Sequence, residues 1–287
     1  MKINVENLDF SYGSKHVLNI SKASFKQGEA YGIVGKNGVG KTTFFKCLVN
    51  IITNYNGSVL IDDMEVRSNL SVLKDVGIVL DDMSPYRDRT GMFNLRYFAG
   101  LRGEVSLDTI MQLAMDLEIA NDLETKVSKY SLGMTKKLQL LISLMNNANI
   151  LIFDEPFRGL DEKTVNWFRE YLINQKQQGR TILISSHVKE DIESIADHVL
   201  VLENGDFVAS YDLTDTTQNY LYFVEVSNTE LFTSILTDMG ISATTTGKLL
   251  QFTAGEELYR QIFKQAVAND IEFFQVKKEV PFSKFVR

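Results

Sequence analysis

Proline is scarce in this chain, with 3 in 287 residues, cysteine and tryptophan occur once each, and there are 3 histidines. A single cysteine excludes any disulfide framework within the chain. Cys47 falls inside a helical pattern, where it reads as a small buried hydrophobe and suits a reducing cytoplasm. So few prolines leave no stiff linker, and any domain boundary must be read from a change of pattern. No stretch approaches the roughly eighteen uninterrupted apolar residues of a membrane-spanning helix. The opening Met1-Lys2-Ile3-Asn4-Val5-Glu6 also lacks the apolar core of a secretion signal, so a soluble chain is expected. Positive charge is in short supply too: 30 Lys and Arg against 37 Asp and Glu give a net charge of -7, which argues against a broad nucleic-acid-binding face. What is present is 44% hydrophobic content, enough for a large domain followed by a small one.

Glycine clusters where a tight backbone is needed. Gly35-Lys36-Asn37-Gly38-Val39-Gly40-Lys41-Thr42-Thr43 follows the apolar run Tyr31-Gly32-Ile33-Val34 and leads into a helical pattern from Phe44 to Val49. Strand, glycine loop and helix in that order make a nest for a polyphosphate: the glycines let successive N–H groups turn inward, and the positive end of the helix adds to the field. Lys41 is expected to reach the β- and γ-phosphates, and the Thr42 hydroxyl to hold Mg²⁺. The alternative is a glycine turn without a ligand. The nine-residue match in this context points to a bound nucleoside triphosphate.

Further β-like runs occur at Val5 to Tyr12, Tyr31 to Gly35, Ser58 to Ile61, Val76 to Leu80, Ile150 to Asp154, Thr181 to Ser185, His198 to Leu202 and Phe207 to Ser210. Asn94 to Leu101, Ser106 to Leu117, Leu132 to Met145 and Glu162 to Gln177 carry apolar residues at helical spacing, so the order reads as α/β with a mostly parallel central sheet. After Leu213 the polar stretch 214–219 breaks this pattern. Beyond it, Tyr220 to Val226, Glu230 to Met239, Ser242 to Thr246, Leu249 to Thr253, Glu256 to Ala268 and Ile271 to Lys277 read as βαββαβ. That succession is the ferredoxin-like arrangement, with an irregular appendage as the alternative. The expected domains are residues 1–212 and a small α+β unit at 213–287.

Ile150-Leu151-Ile152-Phe153 reads as a buried parallel strand that delivers Asp154 and Glu155 at its carboxyl end. Asp154 is expected to anchor Mg²⁺ together with Thr42 and phosphate oxygens. Glu155 would orient and deprotonate the attacking water, general-base work worth about two to four orders of magnitude in rate. Either carboxylate alone is equally an acidic strand end facing solvent; the pair beside a glycine loop is more specific.

Together these residues resemble the ATP-binding subunits of ABC transporters, and the resemblance runs through most of residues 1 to about 212. It implies a P-loop NTPase fold, with an antiparallel β subdomain and a helical subdomain around the parallel sheet, and ATP and Mg²⁺ as cofactors. Phe10-Ser11-Tyr12-Gly13 resembles the family's aromatic loop, in which Tyr12 stacks on adenine; an edge-strand aromatic is the other reading. Ser185-Ser186-His187 resembles the switch histidine that touches the γ-phosphate and the catalytic water, against a histidine that merely closes a strand. Tyr130-Ser131-Leu132-Gly133-Met134 stands where the family has its signature loop, and Ser131 with the Gly133 backbone would bind the γ-phosphate held by an opposite subunit paired head to tail. Leucine and methionine replace the commonest glycine and glutamine there, as in the subgroup of bacitracin-type and lantibiotic-type exporters. Gly159-Leu160-Asp161 resembles the loop through which Asp161 communicates between paired sites, and Asp161 equally suits a helix cap. Asp81 occupies the position at which most relatives have a metal-touching glutamine; its shorter reach leaves direct contact, contact through water and no contact all open.

The resemblance implies an ATPase subunit that pairs with a second copy or a paralogue and drives a separate integral membrane permease, peripheral on the inner face of the cell membrane. Its subgroup implies export of a peptide, drug or lipid. Residues Ser84 to Glu104, with Pro85-Tyr86-Arg87 and Asn94-Leu95-Arg96-Tyr97-Phe98, would receive the permease, or form a plain amphipathic helix on the core. The rivals are a soluble ABC ATPase and a nucleotide-dependent regulator without transport. Neither sequence duplication nor sustained heptads support the first.

Overall fold

Apolar residues that alternate with polar ones, or run uninterrupted for four or five positions, build two sheets over one core in the first part of the chain. The computed structural model describes residues 1–103, 105–215, 219–280, 282 and 285–286. The chain divides into two compact units, Met1–Ser210 and Tyr211–Phe285. Part of the polar stretch 214–219 that marks the expected boundary lies outside the described residues, as does Glu104.

In chain order the first unit runs β1 (Ile3–Tyr12), β2 (Lys15–Phe25), β3 (Ala30–Val34), α1 (Lys41–Leu48), β4 (Asn56–Ile61), β5 (Met64–Glu65), β6 (Val76–Val79), α2 (Gly91–Arg102), α3 (Leu107–Asp116), α4 (Leu132–Leu144), β7 (Ile150–Asp154), α5 (Glu162–Gln177), β8 (Thr181–Ser185), α6 (Lys189–Ile195), β9 (His198–Glu203) and β10 (Asp206–Asp212), the last of which passes the division. One sheet has the order β2-β1-β4-β5 and the other β10-β9-β3-β8-β7-β6. In the second, the β9/β3, β3/β8, β8/β7 and β7/β6 pairs are all parallel. Parallel strands are covered on both faces, which is why β3, β7 and β8 are buried at every position. β1 pairs antiparallel with β2 and β4, and β4 with β5. Phe44, Phe45, Cys47 and Leu48 of α1 join Ile3, Val5, Leu18 and Phe25 of the antiparallel sheet and Ile33, Ile152 and Leu183 of the parallel one in a single buried cluster. Burial pushes the Cys47 thiol up to about 12, so it stays a protonated hydrophobe.

Strand β2 and helix α6 are absent from the sequence-based reading. In β2 only every second or third position from Leu18 onward is buried, so Leu18, Ile20 and Phe25 are spread too thinly to stand out as a run. Helix α6 has 7 residues with Ile192 and Ile195 as its apolar anchors, too short for a periodic signal.

At Gly77, in β6, a Cβ would stand 2.3 Å from the Ser143 carbonyl oxygen and 2.9 Å from Leu151 Cδ2, so α4 lies directly on the strand backbone. Gly77→Ala is expected to destabilise the chain by about 1–3 kcal/mol, the cost of overpacking a rigid contact. Denaturant titration of the variant checks this, and an unchanged midpoint would mean that α4 yields freely.

The second unit is β11 (Asn219–Val226), α7 (Thr229–Asp238), β12 (Ala243–Thr246), β13 (Leu249–Gly255), α8 (Glu256–Ala268) and β14 (Phe273–Glu279). Its sheet order is β12-β13-β11-β14 with every pair antiparallel, the ferredoxin-like topology. Tyr222, Val224, Leu250 and Phe252 face one way and close on Phe232 and Leu236 of α7 and Ile262 and Ala266 of α8.

Candidate nucleotide site

The order β3-β8-β7-β6 decides which residues meet. The glycine loop leaves the carboxyl end of β3, Glu155 that of β7, and His187 follows β8, the strand between them. Asp154 and Ser185 are register partners, so both strands end level with the loop. Asp81 arrives from the far side, two residues after β6. The ends of these strands and Tyr12 of β1 surround a cleft of about 500 Å³.

Backbone geometry shapes the loop. Gly38 has φ +76° and Gly40 φ +119°, conformations open to glycine and strained for other residues, and they turn the chain tightly into α1. Asn37, Gly38, Gly40, Lys41, Thr42 and Thr43 line the cleft; Gly35 does not, and acts through its carbonyl. Lys41 is 7% exposed, and its Nζ donates to the Gly35 oxygen at 2.7 Å and the Lys36 oxygen at 3.3 Å. Burial lowers its pKa, while Glu155 and Asp154 pull it back up.

Thr42 Oγ1 donates to Asp154 Oδ2, and Ser185 Oγ donates to Asp154 Oδ1 at 2.6 Å, so the buried carboxylate is fixed on both oxygens. The next residue, Glu155, has φ +49°, a strained value for a side chain with a Cβ. Its N–H is held by the Ser185 carbonyl oxygen at 3.2 Å and Ser185 Oγ at 3.1 Å. Burial pushes its carboxyl up to about 7 against the pull of Lys41, with Asp154 adding to the rise. His187 Nε2 stands 3.2 Å from Glu155 Oε1. A carboxyl titrating near neutrality beside an imidazole is suited to passing a proton.

Tyr12 is 51% exposed on the cleft wall and packs edge-on against Phe10, with ring centroids 4.7 Å apart. Asp81 also reaches the cleft, with Oδ2 accepting from Arg158 Nη1 at 2.8 Å and Oδ1 lying 3.7 Å from Lys136 Nζ. Ser131, Gly133 and Asp161 do not line it. Ser131 caps α4 by accepting from the Met134 N–H at 3.2 Å, and Gly133 is in that helix's first turn. Asp161 caps α5 through the Thr164 N–H at 2.9 Å and pairs with Lys137 Nζ at 2.9 Å, which with the cap holds its carboxyl well below the usual range. Of the two expectations for Asp161, the helix cap is the one seen inside this chain.

Sequence reasoning missed three residues that line the cleft, Lys15, Val17 and Arg158. Lys15 and Val17 belong to the overlooked β2. Arg158 stands three residues after Glu155, in a position whose sequence signal is its proximity to the carboxylate pair. His16 and His198 pair with Asp9 at 2.7 Å and Glu29 at 3.0 Å, away from the cleft. Among the described residues no group of three or more His, Cys, Asp or Glu side chains is placed to hold a metal ion, and the expected ligands Thr42 and Asp154 are hydrogen-bonded to each other. No described helix is long and apolar enough to cross a membrane.

Comparison with known proteins agrees with this geometry. The ABC transporter family profile matches residues 9–158. A bacitracin transport ATP-binding protein of Enterococcus faecalis is 33% identical over 215 residues, 74% of this chain and 70% of the relative. A lantibiotic transport ATP-binding protein of Streptococcus pyogenes is 31% identical over 206 residues, 72% of this chain and 89% of the relative. The solved structure of an ATP-binding subunit of an ABC transporter superposes with a TM-score of 0.68 at 22% identity, covering 92% of this chain and 100% of that one, and shares the fold. The chain belongs to the ABC transporter family, as one of its ATP-binding, ATP-hydrolysing subunits.

Proposed function

We propose that two copies of this chain, or one copy and a paralogue, close head to tail on ATP and drive a separate membrane permease at the inner face of the cell membrane. The observation that carries the reading is the division of the motif residues. Lys41, Thr42, Asp154, Glu155 and His187 meet in one cleft, whereas Ser131 and Gly133 stand outside it at the amino end of α4. That helix end offers backbone N–H groups and a positive dipole to a γ-phosphate in another subunit's cleft.

Within the cleft each residue has a defined task. Lys41 and the loop amides hold the phosphates, and Tyr12 offers its exposed ring to the base. Glu155 takes the proton of the attacking water, and His187, 3.2 Å from it, orients that water and the γ-phosphate. Thr42 and Asp154 are the residues that would hold Mg²⁺, which when bound offsets charge on the β- and γ-phosphate oxygens.

The permease reading is supported by the α2 surface. Tyr86, Phe93 and Tyr97 are exposed, Tyr97 packs on both others with centroids 5.2 and 6.3 Å away, and the Arg89 guanidinium covers Phe93 at 5.1 Å. Asn94, fully buried, pins the segment by bonding the Tyr86 N–H at 2.7 Å and the Tyr86 carbonyl at 3.1 Å. A rigid aromatic face of this kind suits a protein partner. The bacitracin and lantibiotic relatives are named for transport of those compounds, which supports a peptide, drug or lipid as cargo, with export the direction that the subgroup resemblance implies. Affinity capture of the chain from detergent-solubilised membranes is expected to bring out a multi-spanning protein. A soluble or ribosomal companion in its place would move the reading to a soluble ABC ATPase.

A further inference from the structure

The Asp81–Arg158 pair is the point at which two cavities meet. Both residues line the nucleotide cleft, and both also line a second cavity of about 370 Å³ that extends to Ser84, Thr135 and Lys136. Each Asp81 oxygen faces a cation: Arg158 Nη1 at 2.8 Å and Lys136 Nζ at 3.7 Å. The two cations differ in freedom. The Lys136 side chain is 5% exposed and fixed inside the fold, whereas that of Arg158 is 67% exposed and anchored by the carboxylate at its tip.

Charge in the cleft is balanced, with Lys15, Lys41 and Arg158 against Asp81, Asp154 and Glu155. A triphosphate adds several negative charges and needs a cation able to turn towards it. Lys41 is held within the loop by two carbonyls, where it meets the phosphates the loop cradles, and the Asp154 oxygens are taken by Thr42 and Ser185. Of the two exposed cations in the cleft, Lys15 is the register partner of Tyr12, on the wall assigned to the base, whereas Arg158 follows the carboxylates at the end of β7, and a guanidinium matches phosphate oxygens in bidentate fashion. If it leaves, Asp81 keeps Lys136 as a partner, so neither the carboxylate nor the buried ammonium is stranded.

We propose that Arg158 binds the terminal phosphate of the nucleoside triphosphate, and that Asp81 is its counter-ion, holding the guanidinium aside until that phosphate competes for it. The inference rests on the nucleotide reading above. A diphosphate lacks the competing group, so Arg158 stays with Asp81, and the pair distinguishes ATP from ADP. Asp81 acts here as a latch rather than as a direct ligand of the metal.

Calorimetric titration of the full chain with a non-hydrolysable ATP analogue and with ADP, in Mg²⁺ and again in EDTA, tests this. Arg158→Gln is expected to weaken the analogue about tenfold, the loss of one charge-assisted hydrogen bond, with ADP affinity unchanged. Asp81→Asn frees the guanidinium and should strengthen analogue binding severalfold in EDTA, a gain that vanishes in the Asp81→Asn/Arg158→Gln double variant. Arg158→Lys should restore part of the preference. Melting temperatures measured alongside separate lost binding from lost fold. The proposal is overturned if Arg158→Gln weakens both nucleotides alike or neither, or if Asp81→Asn costs affinity only when Mg²⁺ is present, the behaviour of a metal ligand. Failure of the unaltered chain to bind either nucleotide would instead sink the nucleotide reading itself.

Discussion

Glu155→Gln is expected to slow ATP turnover by about two to four orders of magnitude, the range that general-base catalysis supplies, while ATP binding survives. Glutamine has nearly the shape of glutamate, and the strained backbone at φ +49° is held from outside the side chain, by the Ser185 carbonyl and hydroxyl. The substitution therefore removes a proton acceptor without moving the strand end. It also removes a negative charge from a buried position beside Asp154, so the cleft should hold triphosphate more firmly than before. With the exit step blocked, an ATP-bound dimer accumulates. Phosphate release and light scattering on the same sample read both effects. A variant that turns over ATP at the unaltered rate would strip Glu155 of its role, and permanent monomers under these conditions would end the head-to-tail proposal.

Lys41→Ala is expected to lower nucleotide affinity about tenfold to a hundredfold, since a charge-assisted hydrogen bond contributes about 1.5–3 kcal/mol and each 1.4 kcal/mol is a factor of ten. The size of the effect follows from where the ammonium sits. It is almost wholly buried, and burial already lowers its pKa, so a phosphate meets a cation that water has largely abandoned. The same ammonium clips the loop through the Gly35 and Lys36 carbonyls, and its loss leaves those acceptors to water, loosening the nest as well. Equilibrium binding of ATP and ADP measures the loss. Affinity unchanged by the substitution would mean that the loop holds its ligand by backbone amides alone.

Much of this molecule could be read in one dimension because its key elements are short-range features. The phosphate loop is nine consecutive residues between a strand and a helix, and Asp154-Glu155 directly follows an apolar run, so local order alone announces both. The second unit was legible for a similar reason. Its strands and helices alternate without long insertions, and each helix carries one apolar face, as Phe232, Ile235 and Leu236 show in α7. Elements that lean on distant partners were harder. Strand β2 carries few apolar residues but gains its place from nine paired positions on β1, and α6 is stabilised by packing Ile192 and Ile195 beneath the sheet rather than by its own seven residues.

The pairing of charges lay beyond sequence altogether. Asp81 holds a motif position, but Lys136 and Arg158 are ordinary polar positions beside motifs, and nothing in the spacing of the three says that both cations share its carboxylate. Likewise Lys137 and Asp161, read separately as a helix residue and a cap, form a contact at 2.9 Å that ties the start of α4 to the start of α5.

By itself the sequence determined the phosphate-binding loop, the carboxylate pair and the class of fold, because these depend on residue type and spacing within a single strand, turn or helix. Tertiary structure decided that β8 lies between β3 and β7, setting His187 against Glu155, and that Arg158 and Lys136 close on Asp81 from two sides. Strand order and long-range ion pairs arise from packing whole elements together, and packing joins residues whose separation along the chain carries no record of their meeting.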